Sequence, residues 1–98
     1  MEDFNKLIHE PTRLRILMYL AKTEDPNVSF SELRKELDIS SGNLSVQLNK
    51  LEGANYLNIN KSFKDNRPLT SIKISEAGIA ALDEYFEEME KMITLFRE

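Results

Sequence analysis

The stretch "VSFSELRKELDISSGNLSVQLNKLE" carries the same helix-start device twice, and that repetition limits the fold more than any other feature of the chain. Ser29 suits an N-cap, Glu32 three residues on completes a capping box, and Val28 and Leu33 take the positions of a hydrophobic staple. Ser40 repeats the cap, with Ile39 and Leu44 as a second staple. The spacing predicts a helix over 30–37, a second over about 41–54, and a gap of only Asp38, Ile39 and Ser40. Two short helices joined so tightly form a helix-turn-helix candidate.

The second of these helices is unusual on its outer side. Leu44, Leu48 and Leu51 recur at i, i+4 and i+7, which builds one apolar face. The opposite face carries Gly42, Asn43, Val46, Asn49 and Lys50, with Ser45 and Gln47 on the flanks, rather than the usual run of charges. Amide side chains read base edges in the major groove, and a small apolar side chain meets a thymine methyl. Gly42 lets the helix start approach a partner closely, and Lys50 suits a phosphate. Ser29, Ser31 and Ser41, at helix starts, add phosphate contacts, because free backbone N–H groups there favour anions. The same amides on a plain surface helix would simply be solvated, and Ser29 and Ser40 are caps before they are anything else.

The segment after this helix sharpens the choice. Asn55 falls where a left-handed residue ends a helix. "YLNINKSF" and "LTSIKIS" alternate as strands do, with "KDNRP" as the turn between them. The hairpin would offer Lys61, Lys64 and Arg67 to phosphates or the adjacent minor groove of a duplex; the other reading of its lysines is ordinary edge-strand protection. The whole chain has a formal net charge of −4, yet residues 40–75 sum to +3, between a −2 segment before them and a −5 segment after. A local patch, not the total, decides where a polyanion docks.

Before the pair, Phe4, Leu7 and Ile8 mark a short amphipathic helix, and Pro11 interrupts it. "TRLRILMYLAK" is apolar enough to be the central buried helix, with Leu14, Leu17, Met18 and Ala21 as its stripe and Ile16 and Leu20 widening it. After the hairpin, Ser75 caps a last helix over 76–97. There Ile79, Leu82, Phe86, Met89, Ile93 and Phe96 follow a heptad seam bordered by glutamates. A small domain cannot cover so long a seam, so these six, joined by Phe4, Leu7 and Ile8, are expected to form a homodimer interface.

Other classes of function find little support. With one histidine and no cysteine, no transition-metal site and no disulfide framework is expected. No hydrolase, phosphate-loop or zinc-protease motif is present, each of the three glycines has a structural reading, and neither an enzyme nor a cofactor is expected. No apolar run is long enough to span a bilayer, and "MEDFNKLIHE" lacks a signal core, so a cytoplasmic protein without membrane contact is expected.

Three segments in order give a resemblance. "HEPTRLRILMYL" is similar to the opening of ArsR-type regulators. "FSELRKELDISSGNLSVQLNKLE" resembles the helix-turn-helix of compact winged helix-turn-helix transcriptional regulators of MarR/ArsR-like type, and "FKDNRPLTSIKISEAGIAAL" resembles their wing and following helix start. The resemblance covers about residues 9–82. Asn55 stands where the family has glycine, and Asp65-Asn66 where the tip is more basic or glycine-rich. The resemblance implies a single domain over 1–98, mainly α with a small β-hairpin. It is a winged helix-turn-helix with a wing over about 57–75 and a long C-terminal dimerisation helix over about 76–97. The implied function is sequence-specific binding of double-stranded DNA by a homodimer on an inverted repeat, with any small-molecule effector unknown. The other reading left open is a winged-helix module that binds protein within the transcription machinery, with DNA binding weak or lost.

Overall fold

Each helix begins on a side chain that accepts its free N–H groups. The computed structural model describes residues 4–98; Met1, Glu2 and Asp3 of the charged N-terminus lie outside the described residues. The elements run α1 (Pro11–Lys22), β1 (Val28–Ser29), α2 (Phe30–Leu37), α3 (Ser41–Gly53), β2 (Leu57–Lys64), β3 (Arg67–Ile74) and α4 (Glu76–Arg97). At the head of α1 the Glu10 carboxylate accepts from the N–H groups of Thr12 and Arg13, and Pro11 sits in the first turn, where its missing N–H costs nothing. Burial alone would raise the Glu10 pKa; the N–H donors of Arg13 and Thr12 and the Arg13 charge outweigh it and hold the carboxyl below its usual value. The Oγ atoms of Ser29, Ser40 and Ser75 accept from Glu32, Asn43 and Gly78 in the same manner.

The first capping box closes on one side only. The Glu32 carboxylate turns to α1, where the Tyr19 hydroxyl donates to it at 2.5 Å. That hydrogen bond, with partial burial and the nearby acids, pushes the Tyr19 phenol up to about 12. At the other end of α2, Arg15 Nη2 donates to the Leu37 carbonyl at 2.9 Å. Asp38 then takes the left-handed conformation at φ 52°, which turns the chain directly into α3. The helix-turn-helix gap is therefore Asp38, Ile39 and Ser40, as the caps predict.

Four expectations need correction. The segment with Phe4, Leu7 and Ile8 is a turn, not a helix: Asn5 Oδ1 caps it by accepting from the N–H groups of Leu7 and Ile8, and the His9 N–H closes it on the Asn5 carbonyl, but Glu10 and Pro11 open α1 before a second turn can follow. The buried stripe of α1 is Ile16, Leu17 and Leu20, while Met18 is 45% exposed and Ala21 is exposed. α1 has apolar residues on several sides, and its tertiary neighbours choose among them. The hairpin is part of a three-stranded antiparallel sheet, order β1-β3-β2, because Val28 and Ser29 pair with Ile72 and Ser71. The turn is two residues, not five: Asp65 and Asn66 both have positive φ, 53° and 62°, as a tight hairpin turn demands and as Asp and Asn tolerate.

The core joins Ile8 to the α1 stripe, Val28, Leu33, Leu37, the α3 seam of Leu44, Leu48 and Leu51, the sheet residues Leu57, Ile72 and Ile74, and Leu82 and Tyr85 of α4. Two elements leave this body. Residues 61–69 of the hairpin and 90–98 of α4 are all exposed. The Cα radius of gyration is accordingly 14.9 Å with extents of 58 × 25 × 23 Å, where about 12.6 Å is expected of a rounded chain this long.

Candidate nucleic-acid interface

The exposed face of α3 carries the residues that its helical wheel selects. Ser41, Gly42 and Asn43 form its first turn and are exposed, followed by Val46 at 50%, Asn49 and Lys50. Ser31 is exposed on the first turn of α2, while the Ser29 hydroxyl is occupied as the α2 cap and half-buried. Glycine in a helix costs up to about 1 kcal/mol relative to alanine, so each glycine calls for a reason. A Cβ on Gly42 or Gly53 would meet nothing within 4 Å. No contact within the described residues accounts for Gly42, contrary to the expectation of a structural reading for every glycine.

The wing stands beside this face. Ser45, Leu48 and Asn49 of α3 line one cleft with Phe30 of α2 and Ile59, Lys61 and Thr70 of the hairpin. Strand alternation puts Lys61 on the side of Leu57 and Ile59, and Lys64 and Arg67 on the other side at the tip. Lys64 and Arg67 are direct cross-strand partners, an arrangement in which like charges destabilise the hairpin. Two ion pairs occur among the described residues, Glu10–Arg13 and Glu88–Lys91. Among those residues, Lys50, Lys61, Lys64, Arg67 and Lys73 thus have no carboxylate partner.

Gln47 differs from its neighbours. It is half-buried, its Oε1 accepts from Arg13 Nη1 at 2.6 Å, and its Nε2 donates to Asn43 Oδ1 at 2.9 Å. Arg13 is the residue that sequence reasoning missed. It lies on α1, 34 residues away, and no local pattern announces the contact. Phe63 was missed as well. It follows the alternation of Leu57 and Ile59, but the hairpin carries it past the core to 77% exposure, between Lys61 and Lys64. An aromatic flanked by lysines in a strand was the available signal.

The expected interface between copies is divided. Ile8 and Leu82 are buried in the chain's own core, at 0% and 5% exposure, which corrects their reading as free interface residues. Phe4, Leu7, Phe86 and Met89 are half-buried against that core. Phe4 stacks on His9 at 5.2 Å, and His9 Nδ1 lies 2.8 Å from the Tyr85 hydroxyl. Ile79, Ile93 and Phe96 remain exposed, joined by Met92 and Leu95. No three His, Cys, Asp or Glu side chains among the described residues are grouped as metal ligands would be, and no helix there is long and apolar enough to cross a membrane.

Comparison with known proteins agrees with this geometry. The profile of a winged helix DNA-binding domain matches residues 12–93. An uncharacterized protein of Methanocaldococcus jannaschii is 32% identical over 84 residues, covering 86% of this chain and 89% of that protein. Among solved structures, a transcriptional regulator homologue from Pyrococcus horikoshii OT3 superposes with a TM-score of 0.84 at 25% identity, covering 94% of this chain and 89% of its own. YusO of Bacillus subtilis gives a TM-score of 0.78 at 18% identity, with 93% of this chain matching 62% of that one. At that identity the likeness concerns the fold alone.

Proposed function

The chain belongs to the winged helix DNA-binding domain family, and from that premise we propose that it is a homodimeric transcriptional regulator that reads double-stranded DNA in a sequence-specific way. α3 enters the major groove, with Asn43, Val46 and Asn49 toward base edges and Lys50 toward phosphate. Gly42, Ser41 and Ser31 let backbone N–H groups approach the phosphates, and Ser29 acts there through its helix start rather than its occupied hydroxyl. The wing lays Lys61, Lys64 and Arg67 on the backbone and the adjacent minor groove. The observation that carries this reading is the cleft between α3 and the hairpin, where Asn49 and Lys61 share one surface; Lys61, like the other cations of α3 and the hairpin, has no carboxylate partner among the described residues.

The test is binding of the full chain to duplexes selected from a random pool, against random duplex, at two salt concentrations. A preference for selected sites, in the form of inverted repeats, is expected. Binding without preference and without salt dependence would instead favour a protein-interaction module. Lys64→Ala should weaken all sequences alike and lower the slope of log affinity against log salt by about one per contact, about two per dimer. An unchanged slope removes Lys64 from the DNA.

Gly42→Ala separates stability from function. With open space around the new methyl, the fold should gain up to about 1 kcal/mol in urea denaturation, while DNA affinity falls because the methyl stands between α3 and the groove. A variant that gains stability and keeps full affinity shows that the groove does not need this glycine.

A further inference from the structure

We propose that Arg13, acting through Gln47, determines which class of base Asn43 recognises. The inference rests on the reading of α3 as the groove-entering helix and adds to it the polarity of one contact.

A chain of three hydrogen bonds leads from the interior to the exposed face. Arg13 Nε donates to the Leu7 carbonyl at 2.6 Å, and Arg13 Nη1 donates to Gln47 Oε1 at 2.6 Å. Gln47 Nε2 then donates to Asn43 Oδ1 at 2.9 Å. The Arg13 side chain is only 12% exposed, with Glu10 at 3.8 Å. Guanidinium has donors and no acceptor. The Gln47 atom that faces it must therefore be oxygen, and the other end of that amide must be the NH₂ group. The NH₂ group in turn requires an oxygen from Asn43. One obligate donor at the buried end thus orients two amides that would otherwise be free to flip.

Asn43 is exposed, and with its oxygen turned along the helix toward Gln47 it offers a partner its NH₂ group. A donor in the major groove pairs with guanine O6 or N7, thymine O4 or adenine N7, and not with the amino group of cytosine. The two-bond amide–adenine pair also needs the amide oxygen for the adenine amino group, so the orientation disfavours it. Arg13 itself stays out of the groove: it is a positioning residue, and so is Gln47, whose amide is occupied on both sides.

Gln47→Glu tests this with almost no change of shape. The carboxylate still accepts from Arg13, but its second oxygen accepts as well, so Asn43 must turn its NH₂ group inward and its oxygen outward. Affinities of the full chain are measured for every single-base change of the selected site. In the wild type, Asn43→Ala should erase the preference at one position per half-site, by roughly tenfold, and the preferred base there should present an acceptor. In Gln47→Glu the preference at that position should move to cytosine, the one base whose major-groove edge presents an amino donor and no acceptor. The added negative charge lowers affinity for all sequences together and leaves the comparison between bases intact. Gln47→Met, which breaks the relay without charge, should relax the preference and not move it. A wild type with no preference at any position overturns the DNA reading and this inference with it. A preference that depends on Asn43 but keeps the same base in Gln47→Glu overturns the inference alone.

Discussion

Gly78→Ala should cost the fold at least about 3 kcal/mol, beyond the range in which overpacked sites usually relax. Gly78 lies in the first turn of α4, against Tyr56 in the connection between α3 and β2. A Cβ there would stand 2.1 Å from the Tyr56 carbonyl oxygen and 2.9 Å from Ile74 Cγ1. The first neighbour is backbone and cannot swing away. It also accepts from the Ser75 N–H at 3.0 Å, while the Ser75 hydroxyl donates to the Asn55 carbonyl at 2.6 Å. Moving α4 off Tyr56 therefore breaks the bonds that fix its start and unseats Leu82 and Tyr85. Gly53→Ala is the matched control, since its Cβ meets nothing within 4 Å and it should be neutral or slightly stabilising. Urea denaturation of the three proteins decides the matter, and a Gly78→Ala midpoint equal to that of Gly53→Ala would sink the idea. The loss equals a third or more of the whole stability of many domains this size, so the melting temperature of the variant should fall by roughly 12–24 °C.

The fold was legible where local chemistry decides structure. Ser29, Ser40 and Ser75 cap the helices that their spacing predicts, and α2 runs over 30–37 as read. Leu44, Leu48 and Leu51 are buried because a helix with one apolar face has one way to dock. Asn55 and the Asp65-Asn66 pair, departures from the family's glycines, take positive φ all the same. Asn and Asp are the side chains that visit this region most readily. The features that escaped depend on distant partners. β1 is two residues long, too short for any alternation to show, and exists because β3 passes beside it. The true stripe of α1 could not be told from the apparent one without knowing what packs on it.

The site divides in the same way. Helical geometry alone exposes Asn43, Val46, Asn49 and Lys50, and alternation alone distributes Lys61, Lys64 and Arg67 over the hairpin. The direction of an amide is different in kind. Asn43 and Gln47 have no preferred orientation of their own, and it is set by Arg13 on another helix. Reading chemical type from sequence was therefore possible at this site, while reading polarity required the three-dimensional contact.

Ile93→Glu combined with Phe96→Glu should leave the protein monomeric at micromolar concentration and lower its affinity for an inverted repeat by about 10² to 10⁴-fold, the factor that linking two sites supplies. The first half of α4 is held by its own core through Leu82 and Tyr85, and residues 91–98 extend beyond it as an exposed segment. There Met92 and Ile93 are 39% and 41% exposed, and Leu95 and Phe96 are 61% and 89%. Burying such a side chain contributes roughly 1.5–3 kcal/mol. Scaled by these exposures, the four from each of two copies give about 7–14 kcal/mol, against an association cost on the order of 4–15 kcal/mol. The two ranges overlap, so a second copy of this chain is held by a narrow margin, and replacing two of the four by carboxylates on a helix already rich in glutamate should remove it. Met89→Lys is a poorer probe, because Met89 is half-buried against the protomer's own core and its loss mixes folding with assembly. The double variant touches only exposed positions, and its circular dichroism should match the wild type. Two α3 helices in a dimer must also meet half-sites about 34 Å apart, one turn of duplex, so the monomer should bind a single half-site as well as the wild type does and lose only the gain from the pair. Sedimentation equilibrium at micromolar concentration, followed by binding to single and paired half-sites, reads both parts. A wild type that is monomeric under these conditions, or a monomeric variant that binds the paired site as tightly as the wild type, would remove α4 from the DNA-binding mechanism.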